Sequence, residues 1–270
     1  MPGAPPPHDH IDVSHPARNL LASVLRVLAN SGYGLWLLLG LTLALGVYPA
    51  GRGEALVPLA LGALLVSLSP LAASLRLSAG DWLGWRFGRG SRPNRRAMLA
   101  MVTYLPMLGV AGLVRGDNLF WATRVSAAAL ALCSLLCLIY AMPGEAGRRE
   151  GWTRRLARVV SAGYAGGLWL WLCLAAQESA HLRAIYSVAW ILALQLLALL
   201  FWLASGRGRP RSPGGRLVFL ALVYLIPCAI VLLAQVNGSQ EWLIALAAVS
   251  CVVGKSVEPR LCGQGVAHGS

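Results

Sequence analysis

Long apolar runs alternate with short polar connections along most of the chain. The pattern predicts eight hydrophobic helical spans at about 31–48, 55–75, 97–114, 120–142, 160–177, 184–204, 216–235 and 241–256. A helix of roughly 20 residues crosses the ~30 Å hydrocarbon core of a bilayer. The sequence therefore predicts an all-α membrane protein with eight transmembrane helices.

The parts of the chain outside these spans form three further predicted segments. Residues 1–17 are rich in proline and histidine and carry no apolar run, which predicts a disordered tail without a secretory signal. Residues 18–30 place arginines beside leucines at helical spacing, which predicts an interfacial helix that leads into the first span. The eight-helix bundle then covers 31–256, and residues 257–270 form a C-terminal tail.

The arginines are distributed unevenly between the connections. The second, fourth and sixth connections and the two tails carry 19 of the 23 basic residues, and the other side carries Arg52, Arg115, Arg124 and Arg183. Because positively charged loops stay on the cytoplasmic side, we expect both termini and the long loops to be cytoplasmic.

Composition excludes several classes of protein. The chain is 57% hydrophobic and 12% charged, whereas soluble domains are about a quarter charged. This excludes an ordinary soluble enzyme and a disordered protein. A net charge of +13 would suggest nucleic acid in a soluble protein, but here topology explains the arginines, and we expect no nucleic-acid partner.

The chain contains an internal repeat. The segment beginning RRAMLAMVTYLP resembles the one beginning GGRLVFLALVYLIP, with Tyr104 and Pro106 in the first and Tyr224 and Pro227 in the second. Each is followed by a tight polar turn, a tryptophan and a span rich in small residues. SGYGLWLLLGL near residue 31 likewise resembles SAGYAGGLWLWL near residue 161. We therefore expect two repeated four-helix units in parallel orientation.

Few residues within the spans could carry chemistry. His181 is the only histidine near a span, so the paired axial ligands of a b-type haem are missing. No acidic residue lies in the middle of a span, and no CxxC pair occurs, so the sequence predicts no metal site and no catalytic residue. Interhelical hydrogen bonds are expected from the polar residues within spans, among them Gln195, Ser67, Ser69, Thr103 and Ser126.

Several motifs resemble the DmsC-type membrane anchor subunits of the dimethyl sulfoxide reductase family of molybdoenzymes. ANSGYGLWLLLGL is similar to the family's first span, and residues 94–106 (NRRAMLAMVTYLP) are similar to its WLSREGVLALxTYLP. Residues 133–141 (CSLLCLIYA) resemble the end of the fourth span, with Trp152 in the loop that follows. The family's C-terminal motif VERWLFFAEARH is matched in this chain at Val257, Glu258, Leu261 and His268.

The resemblance implies a haem-free bundle of eight helices in the bacterial inner membrane. Such a subunit is not itself catalytic. It anchors a molybdopterin catalytic subunit and an iron–sulfur subunit, and it exchanges electrons with membrane quinone or quinol, which binds transiently. The family's histidine and glutamate linked to quinol handling fall on Ser74 and Arg96 here, so the resemblance implies either a differently built quinone site or its loss.

Two sets of site residues follow from this resemblance. A quinone head group near the cytoplasmic face would be bound by residues able to stack on it, to hydrogen-bond its oxygens or to offset their negative charge: Ser74, Arg76, Trp82, Trp85, Arg89 and Tyr104. The iron–sulfur partner would meet the arginines of the long loops: Arg86, Arg92, Arg95, Arg96, Arg154 and Arg155.

Two other functions remain open at this point. A 4+4 repeat is also compatible with a small-molecule transporter or permease, which would need a polar site between broken helices at mid-membrane. The substitutions at Ser74 and Arg96 favour a non-catalytic assembly scaffold that descends from the anchor family.

Overall fold

The computed structural model describes residues 15–48, 53–74, 95–114, 120–141, 152–177, 184–204, 213–236 and 241–261. Every regular element in these ranges is helical. The α-helices are α1 (His15–Leu45), α2 (Leu56–Ser74), α3 (Arg95–Leu113), α4 (Trp121–Leu136), α5 (Trp152–Ala175), α6 (Ala184–Ala204), α7 (Pro213–Leu220), α8 (Ile226–Val236) and α9 (Glu241–Leu261). A π-helical segment, Cys137–Ala141, extends α4, and a second one, Ala221–Leu225, joins α7 to α8.

Several of these helices are long and apolar enough to cross a membrane. By length and composition these are Ser23–Leu45, Trp121–Tyr140, Trp152–Ala175 and Gly214–Ala234. Shorter apolar helices lie at Leu56–Leu68, Met98–Leu113 and Ala189–Ala204. The prediction of an all-α membrane protein is confirmed at this level, and the helices overlap the predicted spans with shifted ends, most of all at the beginnings of α1 and α5.

The boundaries of two predicted segments differ from the structure. Residues 18–30 are helical and belong to the same helix as the first span, because α1 continues without a break from His15 to Leu45. The expected C-terminal tail also begins later, since α9 continues through Leu261. In both cases helical hydrogen bonding continues past the point where the apolar pattern weakens. Residues 1–14 and 262–270, which include most of the predicted tails, lie outside the described residues.

Passes that follow one another in the chain run in opposite directions. The Ser23 hydroxyl near the beginning of α1 donates to the Ser256 carbonyl near the end of α9, at 3.3 Å. At the opposite end, the Gln177 side chain after α5 donates to the Glu54 carbonyl before α2, at 2.8 Å. We call the end that contains the beginnings of α1, α3, α5 and α7 the basic end, and the opposite end the turn end.

Two hydrophobic cores lie side by side. The first is built mainly from α1 to α4 and the second from α5 to α9. In the first, α1 packs against α2 and α4, and α3 packs against α4; in the second, α5 packs against α6 and α9, and α8 packs against α9. The two cores are joined by direct packing of α1 against α5.

Glycines allow α1 and α5 to cross at close range. A Cβ atom at Gly34 would overlap the Ala162 carbonyl, and one at Gly166 would overlap the backbone of Gly34 and Leu35. Small residues let helix backbones approach in a membrane, where dispersion forces depend on close packing. The Gly34–Gly166 crossing therefore sets the separation of the two cores.

The end of α1 shows how the sequence terminates a helix at the turn end. Gly46 has φ +70°, a left-handed conformation that glycine adopts without a Cβ penalty. Its N–H donates to the Leu43 carbonyl and that of Val47 to the Thr42 carbonyl, a Schellman pair. The Arg124 guanidinium lies against Gly46, where its charge complements the negative end of the helix dipole.

Candidate functional site

The predicted quinone residues lie partly outside the described residues. Arg76, Trp82, Trp85 and Arg89 are outside them, and Ser74 is the last residue of α2, at the basic end. Only the side chain of Tyr104, on α3, can be placed in detail.

Tyr104 is half-buried and packs against the first core. Its ring meets the Trp36 ring edge-on, with 5.4 Å between centroids, and the Trp36 indole N–H donates to the Leu59 carbonyl at 3.1 Å. Trp36 fills the space that a side chain at Gly62 would need. Ser74 is twelve residues beyond Gly62 on α2, or about 18 Å along the helix axis. Tyr104 therefore lies deeper in the bundle than the end of α2.

The arginines predicted to meet a partner can be placed only in part. Arg86 and Arg92 lie outside the described residues, and Arg95 and Arg96 form the first residues of α3, with their side chains outside the description. Arg154 is exposed at the beginning of α5. Arg155 is half-buried, with its guanidinium carbon 5.9 Å from the centre of the Tyr140 ring.

The polar residues within spans behave in two ways. The Thr103 hydroxyl lies 3.1 Å from the Cys137 sulfur in the π-helical segment after α4, and the Gln195 amide donates to the Tyr224 carbonyl, so both make the predicted interhelical contacts. The Ser67 hydroxyl instead donates to the Leu64 carbonyl of its own helix at 2.7 Å. The prediction of an interhelical hydrogen bond is therefore wrong for Ser67. A serine hydroxyl reaches its own preceding turn without needing a neighbour.

A cluster that the sequence analysis did not identify surrounds the π-helical segment between α7 and α8. Three side chains from three different helices donate to three consecutive carbonyls there. Ser250 Oγ donates to Leu222 O at 2.8 Å, Tyr164 Oη to Val223 O at 3.1 Å and Gln195 Nε2 to Tyr224 O at 2.5 Å. A π-helical turn disturbs the regular ladder, and in a membrane such carbonyls need partners from neighbouring helices.

The repeat carries a signal that could have located this segment. Tyr104 and Pro106 are separated by one residue, whereas Tyr224 and Pro227 are separated by two. One extra residue within a helix is accommodated by a π-helical turn.

The Gln195 carboxamide oxygen is buried and has no hydrogen-bond partner among the described residues.

A second unpredicted feature is a small crevice at the basic end, between α5, α6, α7 and α9. It is lined by Ala157, Ser161, Ala198, Trp202, Phe219, Tyr224, Lys255 and Glu258. The Lys255 ammonium donates to the Ser161 carbonyl at 2.5 Å and lies 5.7 Å from the centre of the Tyr164 ring. The Trp202 indole N–H donates to Glu258 at 3.1 Å. This places the only lysine of the chain beside a carboxylate and aromatic walls.

At the turn end, Tyr48 follows α1 and is buried, 8% exposed. Burial raises the pKa of the Tyr48 phenol above its ordinary value of about 10, so the group is neutral over the physiological range. Among the described residues no cluster of three or more His, Cys, Asp or Glu side chains could hold a metal ion. Tyr48 is therefore an uncharged group, and its hydroxyl has no hydrogen-bond partner among the described residues.

Comparisons with known proteins add no relative. No family model matches the chain, and neither a curated protein nor a solved structure matches it.

Proposed function

We propose that this chain is the membrane anchor subunit of a molybdopterin and iron–sulfur oxidoreductase complex. It docks the catalytic subunits at the membrane and exchanges electrons with the quinone pool, without catalytic residues of its own. The order and spacing of the anchor-family motifs support this proposal, since they extend from the first helix to the last.

One structural observation carries the docking part of the proposal. Trp152, 62% exposed, and the exposed Arg154 both lie in the first turn of α5, at the basic end. Tryptophan and arginine are enriched at protein interfaces, where both residue types dominate binding energy. An iron–sulfur subunit that presents carboxylates would pair with such a surface.

We also propose that all eight helical passes cross the bacterial inner membrane as two repeated four-helix units, with both termini cytoplasmic. The matching contacts within the two cores support the repeat, because α1, α2, α3 and α4 pair as α5, α6, α8 and α9 do. The basic end would then face the cytoplasm, where the catalytic subunits dock.

The quinone site of this proposal lies near the same face. Trp82 or Trp85 would stack on the ring, Ser74 or Tyr104 would hydrogen-bond a ring oxygen, and Arg76 or Arg89 would offset negative charge on it. Trp82→Ala and Arg89→Ala should each lower quinone-linked turnover in a complex that still assembles. Unchanged turnover in the assembled complex would refute this site, and loss of assembly would move these residues to the partner interface.

The docking proposal is tested on complexes isolated from native membranes. The tagged chain is purified in a mild detergent, and its molybdenum, iron and pterin contents are measured. We expect all three to be present, and we expect an Arg154→Gln/Arg155→Gln variant to lose them while the protein itself stays in the membrane. Arg124→Gln, at the turn end, is the matched control and should retain them. Absence of molybdenum and iron from the native chain would contradict the proposal.

The scaffold hypothesis is the second candidate, and Ser74 and Arg96 favour it because neither side chain exchanges a proton near neutral pH. A complex that assembles with molybdenum and iron but neither oxidises a quinol nor reduces a quinone would support the scaffold over the anchor.

A further inference from the structure

The crevice at the basic end is surrounded by positive charge from three helices. Arg154, Ala157, Arg158 and Ser161 follow helical spacing on α5, so the two arginines share the face that lines the crevice. Arg216 of α7 lies with its guanidinium carbon 5.7 Å from the centre of the Trp202 ring. With Lys255 these make four cations.

Among the described residues that surround the crevice, the only carboxylate is Glu258, so the four cations leave a formal charge of +3. An excess of three positive charges in one place, partly shielded from water, favours an anion. The polar groups are also pre-positioned, because Lys255 is held by Ser161 and Glu258 by Trp202.

The position of the crevice along the helices favours a lipid over a partner protein that binds to the loops. Lys255 lies six residues before the end of α9, which is about 9 Å along the helix axis. In the proposed topology the last span ends at residue 256, so Lys255 would lie where the head groups of the bilayer meet the acyl chains. Leu203 on α6 and Leu217 on α7, 46% and 68% exposed, lie outside the crevice near the same end and offer an apolar surface for chains.

We propose that this crevice binds the phosphate of an anionic phospholipid head group. Lys255 and Arg216 bond the phosphate oxygens, Arg154 and Arg158 flank it, and the acyl chains run along the exposed leucines of α6 and α7. Basic pockets between helices at the cytoplasmic side of a membrane are suited to such head groups. This site is separate from the quinone site proposed above and does not depend on it.

The experiment counts lipids on the purified full-length chain by native mass spectrometry. Delipidated protein is titrated with palmitoyl-oleoyl phosphatidylglycerol and, in parallel, with the corresponding phosphatidylcholine. We expect one phosphatidylglycerol to bind in clear preference to phosphatidylcholine. Lys255→Gln and Arg216→Gln should each weaken that binding by about tenfold, because each removes a charge-assisted hydrogen bond. Arg124→Gln, at the turn end, should bind as the native chain does.

Three results would overturn the proposal. The first is equal binding of the two lipids, and the second is a loss in Arg124→Gln as large as that in Arg216→Gln. The third is displacement of the lipid by millimolar inorganic phosphate, which would assign the crevice to a soluble anion. If Lys255→Gln fails to fold, lipid binding by Arg216→Gln alone tests the proposal. Its thermal unfolding is compared with that of the native protein to show that it is folded.

Discussion

The close crossing of α1 and α5 leads to a sharp prediction for Gly166→Ala. The added methyl group would stand where the backbone of Gly34 and Leu35 already lies. Backbone atoms inside two packed helices cannot rotate away as a side chain can, so the helices must separate. Separation loosens the packing that joins the two cores along this crossing.

The expected loss in the free energy of unfolding is about 1–3 kcal/mol, the usual cost of an overpacked interior. For a chain of this size that corresponds to a decrease in Tm of about 2–4 °C per kcal/mol. Thermal unfolding in detergent can be followed with a thiol-reactive dye, because Cys173 and Cys251 are buried free cysteines that unfolding exposes.

Gly163→Ala is the matched control on the same helix. No atom lies within 4 Å of the position that its Cβ would take, so we expect no loss, and a gain of up to about 1 kcal/mol from better helix propensity. Gly34→Ala should behave like Gly166→Ala, and the double variant should cost less than the sum because both changes separate the same pair of helices. Equal stability of Gly166→Ala and Gly163→Ala would refute the crossing.

Three other predictions concern topology, haem and the π-helical segment. Reporter fusions after Arg96, Arg158 and Arg216 should all report the cytoplasm, and a periplasmic signal from any one would contradict the topology. The purified chain should show no Soret band, and a stoichiometric b-type spectrum would contradict the histidine argument. Gln195→Leu should lower the free energy of unfolding by about 0.6–1.7 kcal/mol, because the Tyr224 carbonyl loses its donor. Ser67→Ala should leave it unchanged in the same unfolding assay.

Hydrophobic periodicity determined the helical class and the approximate position of each pass. The reason is local, since a run of apolar residues in a membrane must satisfy its own backbone and forms a helix wherever it lies. The same pattern could not locate the beginning of α1 or the end of α9. Both helices continue through polar residues such as Arg18 and Glu258, where the apolar pattern no longer marks the helix.

Part of the candidate chemistry was accessible from the sequence and part was not. The contacts of Gln195 and Thr103 follow from their place in apolar spans, whereas Ser67 bonds its own helix for a reason that spacing does not reveal. The unequal Tyr–Pro spacing of the two repeats is a sequence signal that indicates the π-helical segment. Its three donors, however, come from three different helices, so only their packing identifies them.

What the sequence determined alone is therefore the all-α membrane class, the approximate helical passes, the uneven distribution of arginines and the internal similarity of the two halves. Only the tertiary structure placed Gly34 against Gly166 and brought Lys255, Arg216 and Glu258 around one crevice. Gly34 and Gly166 are far apart in the chain, as are Arg216 and Lys255, and their proximity depends on which helix faces pack together. An apolar pattern leaves that choice open, because lipid and protein interior are almost equally apolar and close packing decides between them.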